Sequence, residues 1–501
     1  MRHRYQRGPS GTACRWVVTI RRAYDRATWQ RRTTRPVPMA PAAVAVAAAA
    51  SVGWRAVVLV AVVAGLLAAV SLADPLRPRP VWHLALLVVV ASLGAVRADD
   101  ARAAATPQRL GQVATWVMVV DDPQSYRSAT RAIVEVGEQR YEIWARGRAF
   151  RGRVGEWRGG EWHHVVGELV VLDAERAGRV AWQHVVGELR VEYVGDRMAG
   201  SPLARASNRV RAAIERGAST MGEADGSLFR GLVIGDDRDQ PREMIDRFRA
   251  SGLSHLTAVS GQNVAFVLAA SGPLLRRLRP WVRWAVTLAL IGWFVSLTRF
   301  EPSIVRAGTM AMLAATAFVT GRRADPVRLL SLAVVVLVLV DPLIVGSVGF
   351  WLSVGATFGV AAIGPRLAAC WGGLGWMAMP LGITLGAQIG VVVPAVVVFG
   401  RLPLVSIPAN LLAVPVGGAV MLYGLPTGIV AGMMPAIAPV VLLPCKIGVR
   451  WVDTVAALGA AVEPGGRATW VGWGVVAVVV VAVTARAAMH RDRHGSSTAH
   501  R

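Results

Sequence analysis

The sequence predicts a polytopic α-helical membrane protein with a small β-barrel domain inserted between its helices, and three observations predict it. The 501 residues are 54% hydrophobic and only 17% charged, where a soluble chain carries about a quarter charged residues. The apolar residues come in blocks: the 104 residues between Asp341 and Lys446 hold two charges, Arg366 and Arg401. No aqueous domain buries so much uninterrupted apolar sequence, so this half reads as membrane helices. Residues 98–200 break the pattern with short strand-like runs separated by Gly, Asp, Pro and Arg.

Taken in order, residues 1–38 form a basic tail with ten arginines in the first 35 positions against one acid, Asp25. That is expected of a cytoplasmic flank beside membrane spans, so the net charge of +24 needs no nucleic acid to explain it. Met39 opens a typical membrane amino terminus, and 1–38 reads either as a disordered tail or as a mis-assigned start. The apolar run after it continues into further apolar sequence, so no cleavable signal peptide is expected. Residues 39–97 hold the amino-terminal transmembrane helices, with runs at 56–72 and 81–96 and a marginal Ala-rich run at 40–53.

Residues 98–200 carry "VATWVMVV", "AIVEV", "YEIWA", "VVGELVVL" and "LRVEYV". Five short strands in about a hundred residues suit a small closed or partly open β-barrel, of which the OB-fold is one form. The hexapeptide "HVVGEL" occurs at 164–169 and 184–189, either as two equivalent strands or by coincidence in a Val-rich chain. Residues 201–250 are charged and helical in pattern, an amphipathic connector suited to the membrane interface or to solvent. Residues 251–485 form the second transmembrane bundle, with uncharged runs near 284–298, 307–321, 329–340, 346–363, 367–383, 384–400, within 402–434, and 468–485. The expected total is ten to twelve spans, followed by a polar tail at 486–501. If 40–53 crosses, Arg77 and Arg79 fall inside and the β-domain outside; if it does not, those arginines fall outside and the β-domain inside, and the positive-inside rule favours the first arrangement. Cys14, Cys370 and Cys445 form neither a disulfide framework nor a metal cluster.

Candidate functional residues begin with "GLSHLTAVSGQNV" at 252–264, which crowds Ser254, His255, Thr257, Ser260, Gln262 and Asn263 into ten positions. In a bilayer such groups face protein or water and mark a pathway or helix contacts. Thr257 fits a bond to its own helix; His255, Gln262 and Asn263 together fit that less well. No nucleophile elbow accompanies Ser and His, so hydrolysis is not expected. Arg306 in "PSIVRAG" either faces water or pairs with Glu301 or the surface. Gln388 and Asn410 either line the same lumen or bond helix to helix. Pro408, Pro415 and Gly417–Gly418 predict an interrupted helix around Asn410. In the β-domain, Arg146, Arg148, Arg151, Arg153 and Arg158 stand against one acid, Glu156, with Trp144, Phe150 and Trp157 interleaved. Cations with aromatics equip single-strand binders, and a solvated loop over core aromatics has the same composition. Asp236 and Asp237 more simply cap a turn than hold a metal.

"FRGLVIGDDRDQPREMIDRFRASGLSHLTAVSGQNVAFV" (229–267) resembles the opening of the competence domain of ComEC-type DNA-internalisation proteins. "EPSIVRAGTMA" (301–311), "DPLIVGSVGFWLSVGATFGV" (341–360) and "AQIGVVVPAVVVFGRLPLVSIPANLLAVPVGG" (387–418) follow in the family's order, and 98–200 is similar to its amino-terminal OB-like module. The resemblance covers about 55–485. It implies an inner-membrane channel passing single-stranded DNA; the polar residues His255, Ser260, Gln262, Asn263, Arg306, Gln388 and Asn410 are the candidates to line such a path on their own chemistry. The residue pattern itself, rather than the resemblance, offers Trp144, Arg146, Arg148, Arg151, Arg153, Trp157 and Arg158 as candidate DNA contacts. Many members have a His two residues after the Ser-Gly, where this chain has Gln262 and Asn263. Many end in a metallo-β-lactamase-like domain, whose His-x-His-x-Asp-His run is not found here. A channel is therefore expected rather than an enzyme, without cofactor or metal. The lipid bilayer surrounds it, and the implied partners are an extracytoplasmic DNA receptor and a cytoplasmic motor ATPase. The alternative is a transporter or membrane enzyme for a smaller anionic or lipid-linked substrate.

Overall fold

The computed structural model describes residues 39–52 and 81–497, apart from 127, 258–260 and 323–324. The basic tail 1–38, with Cys14, and the apolar run at 56–72 lie outside the described residues, as does Ser260. Among the described residues six helices are long and apolar enough to cross a membrane, or seven if one bent pair counts as a single span. The chain is a multi-pass membrane protein, mostly helical, with one sheet domain.

Helices α1 (Met39–Val52) and α2 (Val81–Ala104) pack through small residues: a Cβ on Gly94 would lie 2.6 Å from Val46 Cγ2. Arg102 donates to the Ala50 carbonyl at the end of α1. With 14 residues, α1 falls short of a full span, and its Val46 shares a buried cluster with Leu330, Val334 and Val338.

The sheet comprises β1 (Gly111–Val119), β2 (Gln124–Ser125), β3 (Ala129–Val136), β4 (Gln139–Arg146), β5 (Trp162–Val171) and β6 (Val185–Met198). Strand β1 pairs antiparallel with both β5 and β3, and β4 pairs parallel with β6. Val117, Val134, Tyr141, Ile143, Leu169 and Leu189 fill its core, the inward positions of an alternating pattern. The two "HVVGEL" copies fall on neighbouring strands, with Leu169 opposite Leu189. A Cβ at Gly167 would strike the Arg190 carbonyl at 2.3 Å, beside a register shift in that pairing. Helices α3 (Arg148–Gly155) and α4 (Ala174–Val180) follow β4 and β5.

Next come α5 (Pro202–Ser219), α6 (Glu223–Ile234) and α7 (Arg242–Ala250). Ser201 caps α5 by accepting from the Ala204 amide, with Pro202 in the first turn, where its missing N–H costs nothing. This segment does more than connect. Ile214, Leu228, Phe229 and Val233 are fully buried in the bundle core, so the apolar stripes meet protein rather than an interface.

The bundle contains α8 (Ser254–Thr257), α9 (Gly261–Leu275), α10 (Pro280–Leu297), α11 (Pro302–Val319), α12 (Pro326–Val340) and α13 (Val348–Phe358). After a π turn at Gly359–Ile363 follow α14 (Gly364–Cys370), α15 (Ala378–Phe399), α16 (Ser406–Met433), α17 (Ala438–Val441), α18 (Leu443–Val462) and α19 (Gly466–Ser497). Two differences from the sequence reading stand out. The three apolar runs expected between 346 and 400 form two long helices, Val348–Cys370 and Gly372–Phe399. The π turn carries the first across Gly364–Pro365, and the chain turns instead over Trp371–Gly375, where Gly375 has a φ of 56°. Likewise α16 runs unbroken for 28 residues through Pro415 and Pro426. Pro408 sits in its first turn, where no amide bond is lost, and membrane helices tolerate internal Pro when neighbours compensate. The bend comes later, 53° between Pro435–Val441 and Leu443–Val462.

Two helices approach to backbone contact. A Cβ on Gly355, Gly359 or Gly390 would lie 2.2, 1.9 or 2.0 Å from the carbonyl oxygen of Gly390, Gly386 or Gly355. Gly364 and Gly382 extend the row, with a Cβ on Gly382 only 2.6 Å from the Gly364 oxygen. On α15 the glycines repeat every four residues, whereas the first helix steps five from Gly359 to Gly364. The π turn absorbs the extra residue and keeps all three on one face.

Candidate functional site

Two glycines set the packing on either side of residues 258–260 in the polar run. Gly252, at φ 74°, lets Ser406 of α16 approach: an added Cβ would lie 2.6 Å from that side chain. Gly261 does the same for α11, where a Cβ would meet Arg306 Nη2 at 2.7 Å and Ala307 at 2.9 Å. Within the run, Thr257 donates to the Ser254 carbonyl at 3.1 Å, while His255 and Gln262 are exposed and Asn263 is buried. Gln262 and Asn263 border a small cavity with Leu256, Phe266, Gly417 and Gly418, about 10 Å³ in volume. That is room for about one water.

Arg306 is 3% exposed and lies one turn inside α11. Its Nε donates to Ser353 Oγ at 2.9 Å and its Nη1 lies 3.0 Å from Met310 Sδ. Among the described residues no carboxylate forms an ion pair with it, and Glu301 does not reach it. A guanidinium held by neutral groups in a membrane helix is costly, by a few kcal/mol on insertion scales. Gln388 and Asn410 converge on Ser406: Gln388 Nε2 donates to its hydroxyl at 3.0 Å, and Asn410 Nδ2 to its carbonyl at 2.7 Å. Ser406 thus joins α15, α16 and Gly252. Sequence reasoning passed over it because serine in a helix usually bonds locally.

A second cluster lies where the sheet domain meets the bundle. Asp122, just after β1, accepts from Arg299 Nη2 at 2.8 Å and pairs with Arg211 of α5 at 2.8 Å. It also accepts from the Gly159 amide at 2.9 Å. Arg299 reaches the Asn208 side chain at 2.6 Å and the Gly159 carbonyl at 3.2 Å. Arg299 and Phe300 both have positive φ, 58° and 57°, a strained conformation for such residues. Asp236 grips Arg238 through both oxygens, at 2.6 and 2.7 Å, and Arg230 pairs with Asp239. The turn at Asp236 and Asp237 is therefore filled by arginines, and among the described residues no group of three or more candidate ligands could hold a metal. Asp122 and Arg299 are 177 positions apart, so no local spacing links them in sequence.

The field of this junction splits its carboxylates. Neighbouring arginines outweigh burial at Asp122 and Asp236, holding the first far below the ordinary range and the second at about 2. Burial and then the neighbouring Asp122 push Asp121 up to about 6. Burial, then Asp121 and Asp237, push Glu301 to about 7, although Glu301 keeps contact with water, which screens its share. Folded Asp121 thus holds its proton more tightly than the unfolded chain, whose value is 3.8. Stability is expected to rise as pH falls from about 6 towards 4 and to fall below that, as Asp236 and Asp122 protonate. Thermal midpoints across pH 3–8 test this. Asp121→Asn should flatten the rise, and a midpoint that climbs from pH 5 to 7.5 would contradict it.

The β-domain candidates separate. Trp157 is buried and stacks on His163 at 4.4 Å, and Arg158 pairs with Glu215 of α5 at 2.8 Å. Trp144 is half-buried beneath Arg176, 5.1 Å from its ring. Arg151 donates to the Tyr126 carbonyl. Arg146, Arg148 and Arg153 stand exposed along the end of β4 and on α3, with Arg153 5.9 Å from the Phe150 ring.

The family model described as "Competence protein" matches residues 232–492, just over half of the chain. Uncharacterized protein YcaI of Escherichia coli is 26% identical over 212 residues, covering 38% of this chain and 27% of that protein. ComE operon protein 3 of Bacillus subtilis is 26% identical over 190 residues, covering 38% of this chain and 24% of that protein. The aligned parts thus span about a quarter of these curated relatives. No solved structure matches. The matched segment takes in the polar run 252–264, Arg306, Ser353, Gln388, Ser406 and Asn410, and on that match the chain belongs to the competence protein family.

Proposed function

We propose that this protein passes a single strand of DNA across the cytoplasmic membrane during DNA uptake, acting as a channel and not as an enzyme. The observation that carries this reading is Arg306: a buried cation one turn inside a membrane helix, held by neutral groups and touching the polar run at Gly261. A phosphate moving past would supply the counter-charge that no carboxylate among the described residues provides. The sheet domain supports a receiving role. Its five longer strands pair in a circuit, β1–β3–β4–β6–β5–β1, with β4 and β6 parallel, an arrangement suited to an OB-like barrel. Arg146, Arg148 and Arg153 on its surface suit a phosphate backbone.

Charge orients the molecule. Helices α10 and α11 abut the sheet domain at Arg299, and their other ends carry Arg276, Arg277, Arg279 and Arg322. The positive-inside rule places those arginines in the cytoplasm and the sheet domain outside. The sequence carries no phosphate-cradling GxxxxGK[ST] motif, so a cytoplasmic motor ATPase and an extracytoplasmic DNA receptor complete the system. Transformation assays provide the test. Arg306→Ala should reduce uptake by tenfold or more while DNA still adsorbs, and Arg306→Lys should restore part of it. Charge reversal at Arg146, Arg148 and Arg153 should weaken single-strand binding and flatten its salt dependence. Normal uptake by Arg306→Ala would reject the passage assignment, and transport of a small anion by reconstituted protein without DNA would favour a different cargo.

A further inference from the structure

At the arginine-rich end of α10 and α11 the surface opens into a crevice of about 220 Å³, lined by Arg283, Trp284, Thr287, Ala315, Phe318 and Val319. Its walls are mostly apolar and its rim is cationic. The Arg283 guanidinium lies 4.3 Å over the Phe318 ring, and Trp284 Nε1 donates to Thr316 Oγ1 at 3.1 Å, which fixes the indole at the mouth. Phe318 and Trp281 are 62% and 65% exposed on helices long and apolar enough to span a bilayer. Arg276, Arg277, Arg279 and Arg322, which flank these helix ends in sequence, are exposed, and none of them forms an ion pair among the described residues. Asp325, the nearest acid in sequence, is occupied in capping α12 through the Arg328 amide.

We propose that this crevice holds an anionic phospholipid, its phosphodiester on Arg283 and the arginine rim and the start of an acyl chain against Ala315, Phe318 and Val319. Three features favour a lipid over a soluble anion. The walls are apolar, the crevice lies on helices that face the bilayer, and Trp with Arg is the usual pairing at the headgroup level. Basic recesses between membrane helices on the cytoplasmic side are recognised by anionic headgroups. A nucleic-acid strand would need a groove open to water along its length, and Phe318 and Trp281 do not offer one.

The test uses the full chain in nanodiscs of equal phosphatidylglycerol and phosphatidylcholine, with co-purifying lipid counted by native mass spectrometry. The unaltered protein should retain phosphatidylglycerol in preference, Arg283→Gln should cut that retention about fivefold, and Arg283→Lys should keep most of it. Phe318→Ala should weaken retention of both lipids. Equal retention of the two lipids by the unaltered protein overturns the proposal, and that arm stands even if a variant does not fold. Unchanged lipid retention in Arg283→Gln also overturns it; if that variant instead loses oligonucleotide binding, the rim belongs to the nucleic acid.

Discussion

Asp122→Ala should lower the thermal midpoint of the purified protein by roughly 5 °C, the effect of breaking a buried ion pair. The substitution leaves the Arg211 and Arg299 guanidinium groups facing each other, with side chains only 7% and 8% exposed, and no counter-charge at the Asp122 position. Removing one partner of such a pair costs about 3–5 kcal/mol because the remaining charge stays buried. Asp122→Asn keeps the shape and the Gly159 bond, so it should cost less. Arg299 offers an internal check, since its φ of 58° is strained in any residue but glycine. Arg299→Gly and Arg299→Ala both lose the clamp, yet the glycine variant sheds the strain and should be more stable by about 1 kcal/mol. Differential scanning fluorimetry in detergent reads all four variants. A midpoint within 2 °C or so of the parent for Asp122→Ala would show that the junction contributes little.

Gly359→Val should leave little folded protein, and Gly359→Ala should be clearly destabilised. An added Cβ would sit 1.9 Å from the Gly386 oxygen, 2.6 Å from its carbonyl carbon and 3.1 Å from the Ala387 nitrogen. Every one of these neighbours is backbone, so no rotamer change relieves the clash and the helices themselves must part. Overpacking a tight core costs about 1–3 kcal/mol where side chains can yield, and here none can. Gly373→Ala is the control: nothing lies within 4 Å of its Cβ position, and yield should be unaffected. Equal yields and melting behaviour for Gly359→Val and Gly373→Ala would refute the close approach.

What the sequence made legible follows from how each signal is written along the chain. Long charge-free blocks announce membrane helices directly, and the alternation of "YEIWA" announces strands, because both signals are local. Span boundaries inside 346–400 were not legible, since a wide helical turn leaves no charged or capping residue to mark it. The junction was hidden for a different reason. Arg211, Arg230 and Arg238 give residues 201–250 the look of a solvated connector, but they are spent on Asp122, Asp236 and Asp239. Composition cannot tell a charge facing water from one paired with a partner 89 positions away. The polar candidates were individually visible, whereas their meeting point on Ser406 depended on Gly252 admitting it.

The glycine row has a mechanical consequence. Val348–Cys370 and Ala378–Phe399 touch main chain to main chain, so the pair behaves as a stiff plate that cannot widen by turning a side chain. The contacts at Ser406 and Arg306 are made by amides, a hydroxyl and a guanidinium, all of which can swing or exchange partners for water. If the bundle admits a polymer, it must unzip along that side-chain seam, with the plate moving as one leaf of the door.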